Sequence, residues 1–254
     1  MSGKVYFISG GNRGIGFEFV KQLSSNPENT IIASARDPAK AAELQNLVDA
    51  QENIKVVKLD VSDKASIDSL DAQLKNVAKD GIDVLISNAG IAQSFETAIN
   101  TDQETYEKHY RTNVLGPIFL TKVVYPYLKL KETRHLVYIS SLAGSIGAQI
   151  PFTTSAYGQS KAALNYSIKE ISFELGAENF IAVALHPGMV ETDMGKVGIE
   201  WFSKNSPEVM DAFKQIPVLS PEESAKAQLE NVILKLNKDL NGKFLDYEGN
   251  EQIF

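Results

Sequence analysis

Short apolar runs alternate along the chain with longer segments whose apolar residues recur at helical spacing. The runs are too short for helices and apolar on both faces, which is typical of buried parallel strands. They lie at 4–9, 29–35, 54–60, 83–87, 135–140, 180–186 and 243–247. The helical segments lie at 15–25, 38–50, 64–79, 103–130, 155–178 and 221–237. This alternation predicts βαβ units, and therefore a parallel sheet covered by helices on both faces.

No linker, low-complexity stretch or repeat interrupts the 254 residues. We therefore expect one α/β domain over 1–254, a Rossmann-type, doubly wound parallel sheet of about seven strands. Residues 193–220 break the rhythm between the sixth and seventh strands and are rich in apolar side chains. We interpret them as a lid over the substrate, with an ordinary surface excursion as the alternative.

Composition removes several function classes. The net charge of −7 argues against nucleic-acid binding, which needs a basic surface. Without cysteine the chain has no disulfide, thiolate nucleophile or cysteine metal ligand. His109, His135 and His186 lack metal-ligand spacing, so we interpret them as structural and expect no metal. No targeting segment or membrane-spanning run is visible, and we expect a cytoplasmic protein that binds no membrane.

A glycine-rich turn follows the first strand and precedes the first helix. Its sequence is SGGNRGIG, with Gly10, Gly14 and Gly16. Glycines let the backbone turn tightly, and a helix N-terminus presents unpaired N–H groups to an anion. This placement favours a cradle for the pyrophosphate of a dinucleotide, and a plain tight turn is the alternative.

Tyr157 and Lys161 stand four residues apart at the start of the helix after the fifth strand, and so share one helix face. A cation beside a phenol stabilises the phenolate, so we expect Lys161 to lower the pKa of Tyr157. Ser140 and Ser141 end the fifth strand, at the sheet edge where ligands bind in parallel folds. The group predicts acid–base chemistry there, although a core tyrosine and turn serines would explain each residue singly.

These motifs resemble those of the short-chain dehydrogenase/reductase family. SGGNRGIG resembles its T-G-x-x-x-G-I-G, with Ser9 in place of threonine, and YISSLAG followed by SAYGQSK resembles its serine and Y-x-x-x-K motifs. The resemblance covers essentially the whole chain. The strings SKAALN and GKFLDYEG are most similar to sepiapterin-reductase-like and cell-signalling-factor-like carbonyl reductases.

The resemblance implies a catalytic tetrad of Asn113, Ser141, Tyr157 and Lys161. Ser141, favoured over Ser140, would orient a substrate carbonyl, and Tyr157 would donate the proton. Lys161 would also hold the nicotinamide ribose, and Asn113 would support a water in the proton relay. Tyr157 follows Ser141 by sixteen residues, more than is usual in the family, which predicts a small insertion around 147–154.

The resemblance also implies the cofactor contacts. Asp60 and Val61 would flank the adenine, and the segment 88–90 would pass the adenine ribose. The backbone near Val190 and the hydroxyl of Thr192 would hold the carboxamide, after a sharp turn at Pro187 and Gly188. The full expected set is Ser9, Gly10, Asn12, Arg13, Gly14, Ile15, Gly16, Ala35, Arg36, Asp60, Val61, Asn88, Ala89, Gly90, Tyr157, Lys161, Pro187, Gly188, Val190 and Thr192.

The residues after the second strand indicate which nicotinamide cofactor binds. An NAD site usually carries an acidic residue there, whereas this chain has Ala35 followed by Arg36. Arg36 and Arg13 could clamp a 2′-phosphate, because guanidinium groups pair well with phosphate oxygens. We therefore predict NADP(H), with two solvated surface arginines as the alternative.

The substrate is the least constrained feature. Ser141 and Tyr157 would contact a carbonyl, and five aromatic residues could line an apolar pocket: Phe95, Phe152, Trp201, Phe202 and Phe213. The predicted reaction is reduction of a ketone to an alcohol, with an aromatic ketone or a benzil- or sepiapterin-like 1,2-dicarbonyl as the preferred substrate class. Core packing explains any one of these aromatic residues equally well.

Two other functions remain open at this point. One is an NADP(H)-sensing regulator without catalysis on the same fold, and the other is an alcohol dehydrogenase acting in the oxidative direction. The resemblance further implies that the helices at 103–130 and 155–178 pack against a second copy, giving a homodimer or homotetramer.

Overall fold

A computed structural model describes residues 3–148, 153–207, 210 and 216–254. In this part of the chain, seven parallel strands form one sheet in the order β3-β2-β1-β4-β5-β6-β9. They are β1 (Val5–Ile8), β2 (Thr30–Ala35), β3 (Ile54–Lys58), β4 (Val84–Ser87), β5 (His135–Ile139), β6 (Ile181–His186) and β9 (Phe244–Asp246). All seven coincide with the predicted runs, and the predicted fold class is confirmed.

The helices of the described residues follow the strands as expected. They are α1 (Gly14–Ser24), α2 (Ala42–Ala50), α3 (Lys64–Val77), α4 (Gln103–Tyr110), α5 (Gly116–Leu128), α6 (Ser155–Glu174), α7 (Asp193–Asn205) and α8 (Pro221–Asn231). The predicted helix at 103–130 is divided, because a π-helical turn over Arg111–Leu115 separates α4 from α5. The predicted helices at 155–178 and 221–237 end earlier, each followed by a short 3₁₀ turn.

Each face of the sheet carries its own apolar core, because successive side chains of a strand point to opposite faces. On one face, Tyr6 and Ile8 of β1 pack with α1 and α8. On the other, Phe7 packs with α3, α5 and α6. Burial on both faces explains why the strands read as continuous apolar runs.

The strand order reverses at β1, which pairs with β2 on one side and with β4 on the other. In open parallel sheets such a reversal leaves a crevice beyond the carboxyl ends of the strands, and ligands bind there.

The predicted lid, 193–220, contains α7 and β8 (Val218–Leu219), which pairs with β7 (Met189–Val190). Among the described residues, no helix is long and apolar enough to cross a membrane. Action of the segment as a lid stays a prediction.

Candidate active site

A cleft of about 430 Å³ lies at the carboxyl edge of the sheet, where the strand order reverses. It runs from the end of β2, past the glycine turn after β1, to the ends of β5 and β6. The expected cofactor residues that line it are Gly10, Asn12, Arg13, Gly14, Ile15, Gly16, Ala35, Arg36, Asp60, Val61, Asn88, Ala89, Gly90, Tyr157, Lys161, Pro187 and Thr192. One cleft therefore brings together the phosphate-binding and acid–base motifs.

The glycine turn has the shape and the donors for a pyrophosphate. Gly14 has φ +56°, a conformation that side chains other than glycine rarely adopt, and a Cβ on Gly16 would lie 2.2 Å from the carbonyl oxygen of Gly10. Helix α1 begins at Gly14, and its N-cap residue, Arg13, makes no side-chain hydrogen bond to the helix. The first-turn N–H groups have no side-chain cap, which makes this turn suited to an anionic group.

Ser9 supports this turn from behind rather than lining the cleft. Its side chain is buried, and its hydroxyl accepts hydrogen bonds from the backbone N–H groups of Asn88 (2.9 Å) and Ala89 (3.0 Å). The Asn88 amide in turn donates to the carbonyl oxygen of Ser9 at 3.0 Å. The Ser9 hydroxyl therefore joins β1 to the end of β4, and a threonine at this position would carry the same group.

The two arginines expected to select the cofactor lie in different environments. Arg13 forms an ion pair with Asp193, the first residue of α7, with 3.1 Å between Nη1 and Oδ2. Arg36 is exposed, directly after the buried Ala35, and makes no ion pair with another described residue. The neighbouring Asp37 pairs with Lys40 at 3.2 Å. Of these two arginines, Arg36 is thus the one that is open to a ligand phosphate.

Lys161 lies one helical turn after Tyr157 on α6, as their spacing predicted. Its Nζ donates a hydrogen bond to the carbonyl oxygen of Ile139, the last residue of β5, at 2.7 Å. The same Nζ lies 6.0 Å from the centroid of the Tyr157 ring. Burial lowers the pKa of Lys161 to about 8, because the ammonium is removed from water.

Tyr157 has a raised pKa, which differs from the lowering expected from Lys161. Burial is the main cause, and a hydrogen bond with Ser141 opposes it. The cost of removing a phenolate from water outweighs the hydrogen bond with Ser141. Tyr157 consequently carries its proton at neutral pH, as a proton donor must.

The structure distinguishes the two serines after β5. The Ser140 hydroxyl is buried and donates to Oδ1 of Asn165 on α6 at 2.5 Å, so it is engaged inside the protein. The Ser141 hydroxyl accepts a hydrogen bond of 3.2 Å from the N–H of Ala143 and bonds with Tyr157. Of the two serines only Ser140 lines the cleft, so the choice of Ser141 as the serine that meets a substrate stays a prediction.

Asn113 lies in the π-helical turn between α4 and α5. Its amide donates to the carbonyl oxygen of Ile91 (2.8 Å) and to the Ser160 hydroxyl (2.9 Å), and its Oδ1 accepts from the N–H of Ile91 (2.9 Å). The side chain is buried and joins the loop after β4 to α6, close to Lys161. π-Turns often occur at functional sites, but a role for Asn113 in a proton relay stays a prediction.

The segment after β6 closes the far end of the cleft. Pro187 and Thr192 line it, and the Thr192 hydroxyl caps α7 by accepting from the N–H of Gly195 at 3.1 Å. Gly188 has φ +84° and packs against the ring of Tyr247. Gly188 and Val190 are not among the residues that line the cleft.

Three of the five aromatic residues expected at the substrate come together in a cluster. The ring of Phe95 lies 6.1 Å from that of Trp201 and 5.7 Å from that of Phe202, centroid to centroid. These contacts pack α7 onto the loop after β4, outside the cleft lining. Phe152 and Phe213 lie outside the described residues, so a substrate pocket of these five residues stays a prediction.

Several cleft residues were not predicted from the sequence. Helix α4 contributes Glu104, Glu107 and Lys108, and Arg111 and Thr112 follow it. No motif distinguishes these side chains from ordinary residues of a solvated helix, and only the tertiary fold brings α4 to the cleft. The remaining unpredicted residues of the lining are Leu59, Ser62, Ile91, Ile139 and Met194.

His109 and His186 make hydrogen bonds within the protein, whereas Nδ1 of the buried His135 has no hydrogen-bond partner among the described residues. His109 is buried, and its Nε2 accepts from the N–H of Gln93 at 3.0 Å, while Nδ1 of His186 accepts from the N–H of Leu142 at 3.4 Å. The described residues contain no group of three or more His, Asp or Glu side chains arranged to hold a metal.

Comparison with known proteins agrees with this geometry. The family model for short chain dehydrogenase matches residues 4–201. An uncharacterized oxidoreductase of Schizosaccharomyces pombe is 45% identical over 248 residues, covering 97% of this chain and 96% of its own length. The carbonyl reductase Sniffer of Drosophila melanogaster has a similar structure, with a TM-score of 0.85, 29% identity and full coverage of both chains.

An NADPH-bound carbonyl reductase from chicken fatty liver is also similar, with a TM-score of 0.87 and 30% identity over 100% of this chain and 95% of its own. The family match covers strands β1 to β6, the glycine turn and the Tyr157–Lys161 pair. This chain belongs to the short-chain dehydrogenase/reductase family of oxidoreductases.

Proposed function

We propose that the protein reduces a carbonyl compound to an alcohol, with NADPH as the hydride donor. The observation that carries this proposal is the position of Tyr157, protonated beside Ser141 and Lys161, in the same cleft as the glycine turn. A dinucleotide in that cleft and a protonated phenol are the two partners that carbonyl reduction needs.

Each residue has a distinct part in the reaction. When bound, NADPH supplies the hydride that adds to the carbonyl carbon. The Ser141 hydroxyl donates a hydrogen bond to the carbonyl oxygen, and Tyr157 transfers its proton to that oxygen, leaving a phenolate. Lys161, protonated below its pKa of about 8, stabilises the phenolate, because opposite charges attract strongly in a buried site.

Two observations support NADPH as the cofactor. Arg36 is free of ion pairs with the other described residues and follows Ala35, so the end of β2 presents a cation where NAD enzymes usually carry a carboxylate. The chicken carbonyl reductase, of similar structure, is NADPH-bound. Because Arg13 pairs with Asp193, we assign the larger part of phosphate recognition to Arg36.

For the substrate, we propose a ketone, with aromatic ketones and 1,2-diketones preferred. Two solved structures of similar fold are carbonyl reductases, which supports a carbonyl compound as the substrate of this chain. The aromatic cluster of Phe95, Trp201 and Phe202 lies where α7 packs onto the loop after β4. Its apolar rings support an apolar substrate. Its rings would present flat apolar surface to a substrate if α7 moves toward the cleft.

Steady-state kinetics over a panel of carbonyl compounds tests the proposal. The panel contains aldehydes, aromatic ketones, 1,2-diketones and pterins, each assayed with NADPH and NADH by nicotinamide absorbance and by chromatography of the alcohol. We expect the highest kcat/KM with NADPH and an aromatic or vicinal dicarbonyl substrate. Tight NADPH binding without turnover of any compound would instead support a cofactor-sensing regulator.

A further inference from the structure

Helix α8 holds the turn that follows β6 through one buried hydroxyl. Ser224 of α8 is 0% exposed, and its hydroxyl donates a hydrogen bond to the carbonyl oxygen of Pro187 at 2.7 Å. Proline has no backbone N–H, so this carbonyl is the only backbone group through which Pro187 can be held. Pro187 itself lines the cleft.

Gln228, one helical turn later, fixes the direction of that hydroxyl. Its Nε2 donates to the Ser224 hydroxyl at 2.9 Å and to the Ser224 carbonyl oxygen at 3.2 Å. An amide nitrogen can only donate, so the hydroxyl accepts from Gln228 and has its own proton left for Pro187. Gln228 is also 0% exposed, and water does not reach this chain of hydrogen bonds from outside.

The turn is confined on its other sides as well. A Cβ on Gly188 would lie 2.9 Å from the ring of Tyr247, so the backbone already packs closely there. On the substrate side, Nδ1 of His186 accepts from the N–H of Leu142, next to Ser141. A shift of Pro187 would therefore displace the backbone between the cofactor cleft and the serine turn.

The position of Pro187 identifies the part of the cofactor that it meets. β6 is the neighbour of β5, whose last residue, Ile139, binds Lys161. The end of β2 with Arg36 lies on the far side of β4 and β1. Because hydride and proton must reach the same carbonyl group, the nicotinamide belongs at the Tyr157 end, beside Pro187.

We propose that Ser224 is a positioning residue that holds the Pro187–Gly188 turn in place for the nicotinamide half of the cofactor, with Gln228 orienting its hydroxyl. This inference rests on the NADPH site of the proposed function. It assigns a role in cofactor binding to two buried side chains of α8 that do not line the cleft.

Binding measurements with two ligands test this role. NADPH carries both halves of the cofactor, whereas adenosine 2′,5′-bisphosphate lacks the nicotinamide. We expect Ser224→Ala to raise the Kd for NADPH roughly five- to tenfold, as loss of one hydrogen bond would. The Kd for adenosine 2′,5′-bisphosphate should change less than about twofold. The KM for NADPH should rise with its Kd, while the KM for the carbonyl substrate stays constant.

Ser24→Ala is the matched control. Ser24 is a buried serine of α1 whose hydroxyl bonds to its own helix, at the carbonyl oxygen of Lys21. Its loss should lower the unfolding temperature without changing either Kd. Gln228→Met keeps the volume but removes the amide, and should raise the Kd for NADPH roughly two- to fivefold if Ser224→Ala does not fold.

An equal loss of affinity for both ligands, or a lower unfolding temperature with both Kd values unchanged in Ser224→Ala and Gln228→Met, would overturn the inference. A wild-type chain that binds NADPH but reduces no carbonyl would overturn the proposed reaction alone, since the two Kd values still decide the role of Ser224. A wild-type chain that binds no NADPH would overturn both.

Discussion

The Nζ atom of Lys161 donates a hydrogen bond to the carbonyl oxygen of Ile139 at 2.7 Å, which fixes the ammonium at the end of strand β5. The strand thereby sets where the positive charge lies relative to Tyr157, which precedes Lys161 by four residues on the same helix face. The ammonium is also buried, which lowers the pKa of Lys161 to about 8. Its charge therefore depends on pH near the physiological range.

This pKa predicts the pH dependence of reduction. We expect kcat to be constant below about pH 7 and to fall above the Lys161 pKa of about 8, because neutral lysine no longer stabilises the Tyr157 phenolate. In Lys161→Arg the guanidinium keeps its charge, so the alkaline fall should move to higher pH even if kcat is lower. The measurement is kcat against pH for both proteins, and an identical alkaline limb would contradict the assignment.

Spacing predicts much of the site, because parallel strands must end at one edge of their sheet. The glycine turn after β1 and the Tyr157–Lys161 pair after β5 were therefore expected together, and the structure places both at the cleft. The π-turn at Asn113 was not predictable, since it is accompanied by hydrogen bonds to Ile91 and Ser160, which are distant in sequence.

The contacts of Arg13 and Ser224 could not be predicted from the sequence either. The ion pair of Arg13 with Asp193 joins residues that are 180 positions apart, and no local pattern reveals it. Ser224 reads as an ordinary helix residue until Pro187 is seen beside it. Contacts of this kind depend on tertiary packing, which short-range periodicity does not encode.

Arg36→Asp tests the cofactor preference. The variant should raise the Kd for NADPH roughly 10- to 100-fold, because a carboxylate repels the 2′-phosphate that the guanidinium would bind, and it should change the Kd for NADH only a few-fold. Arg13→Ala should have a smaller effect on NADPH, since Arg13 already pairs with Asp193. Fluorescence titration with each cofactor measures this, and equal losses for NADPH and NADH would refute the preference.

Gly16→Ala tests the glycine turn. The added Cβ would lie 2.2 Å from the carbonyl oxygen of Gly10, so the turn must open, and we expect loss of about 1–3 kcal/mol of stability and at least a tenfold weaker NADPH binding. Gly176→Ala is the control, because its nearest neighbour is the Asn241 amide at 3.6 Å. The measurements are the unfolding temperature and the Kd for NADPH of both variants. Equal changes in Gly16→Ala and Gly176→Ala would contradict a role of the glycine turn in binding the pyrophosphate.

Helix α6 leaves apolar surface exposed, and we propose that a second copy of the chain covers it. Tyr166 and Phe173 are 67% and 72% exposed and stand seven residues apart, so they share one face of the helix. Tyr166→Arg with Phe173→Asp should convert an assembly of two or four copies into a monomer, as measured by light scattering. Leu234→Asp, at an exposed apolar residue elsewhere, should leave the mass unchanged, and a monomeric wild type would contradict the proposal.

The proposed reaction depends on Tyr157 as the proton donor, and Tyr157→Phe removes that donor. The variant removes the hydroxyl that bonds with Ser141 and leaves the ring and the glycine turn in place. Single-turnover reduction and NADPH titration should be measured on the same preparation. We predict a fall in the rate of roughly 10²–10⁴-fold with NADPH affinity almost unchanged; reduction at the wild-type rate would contradict the assignment of Tyr157 as the acid.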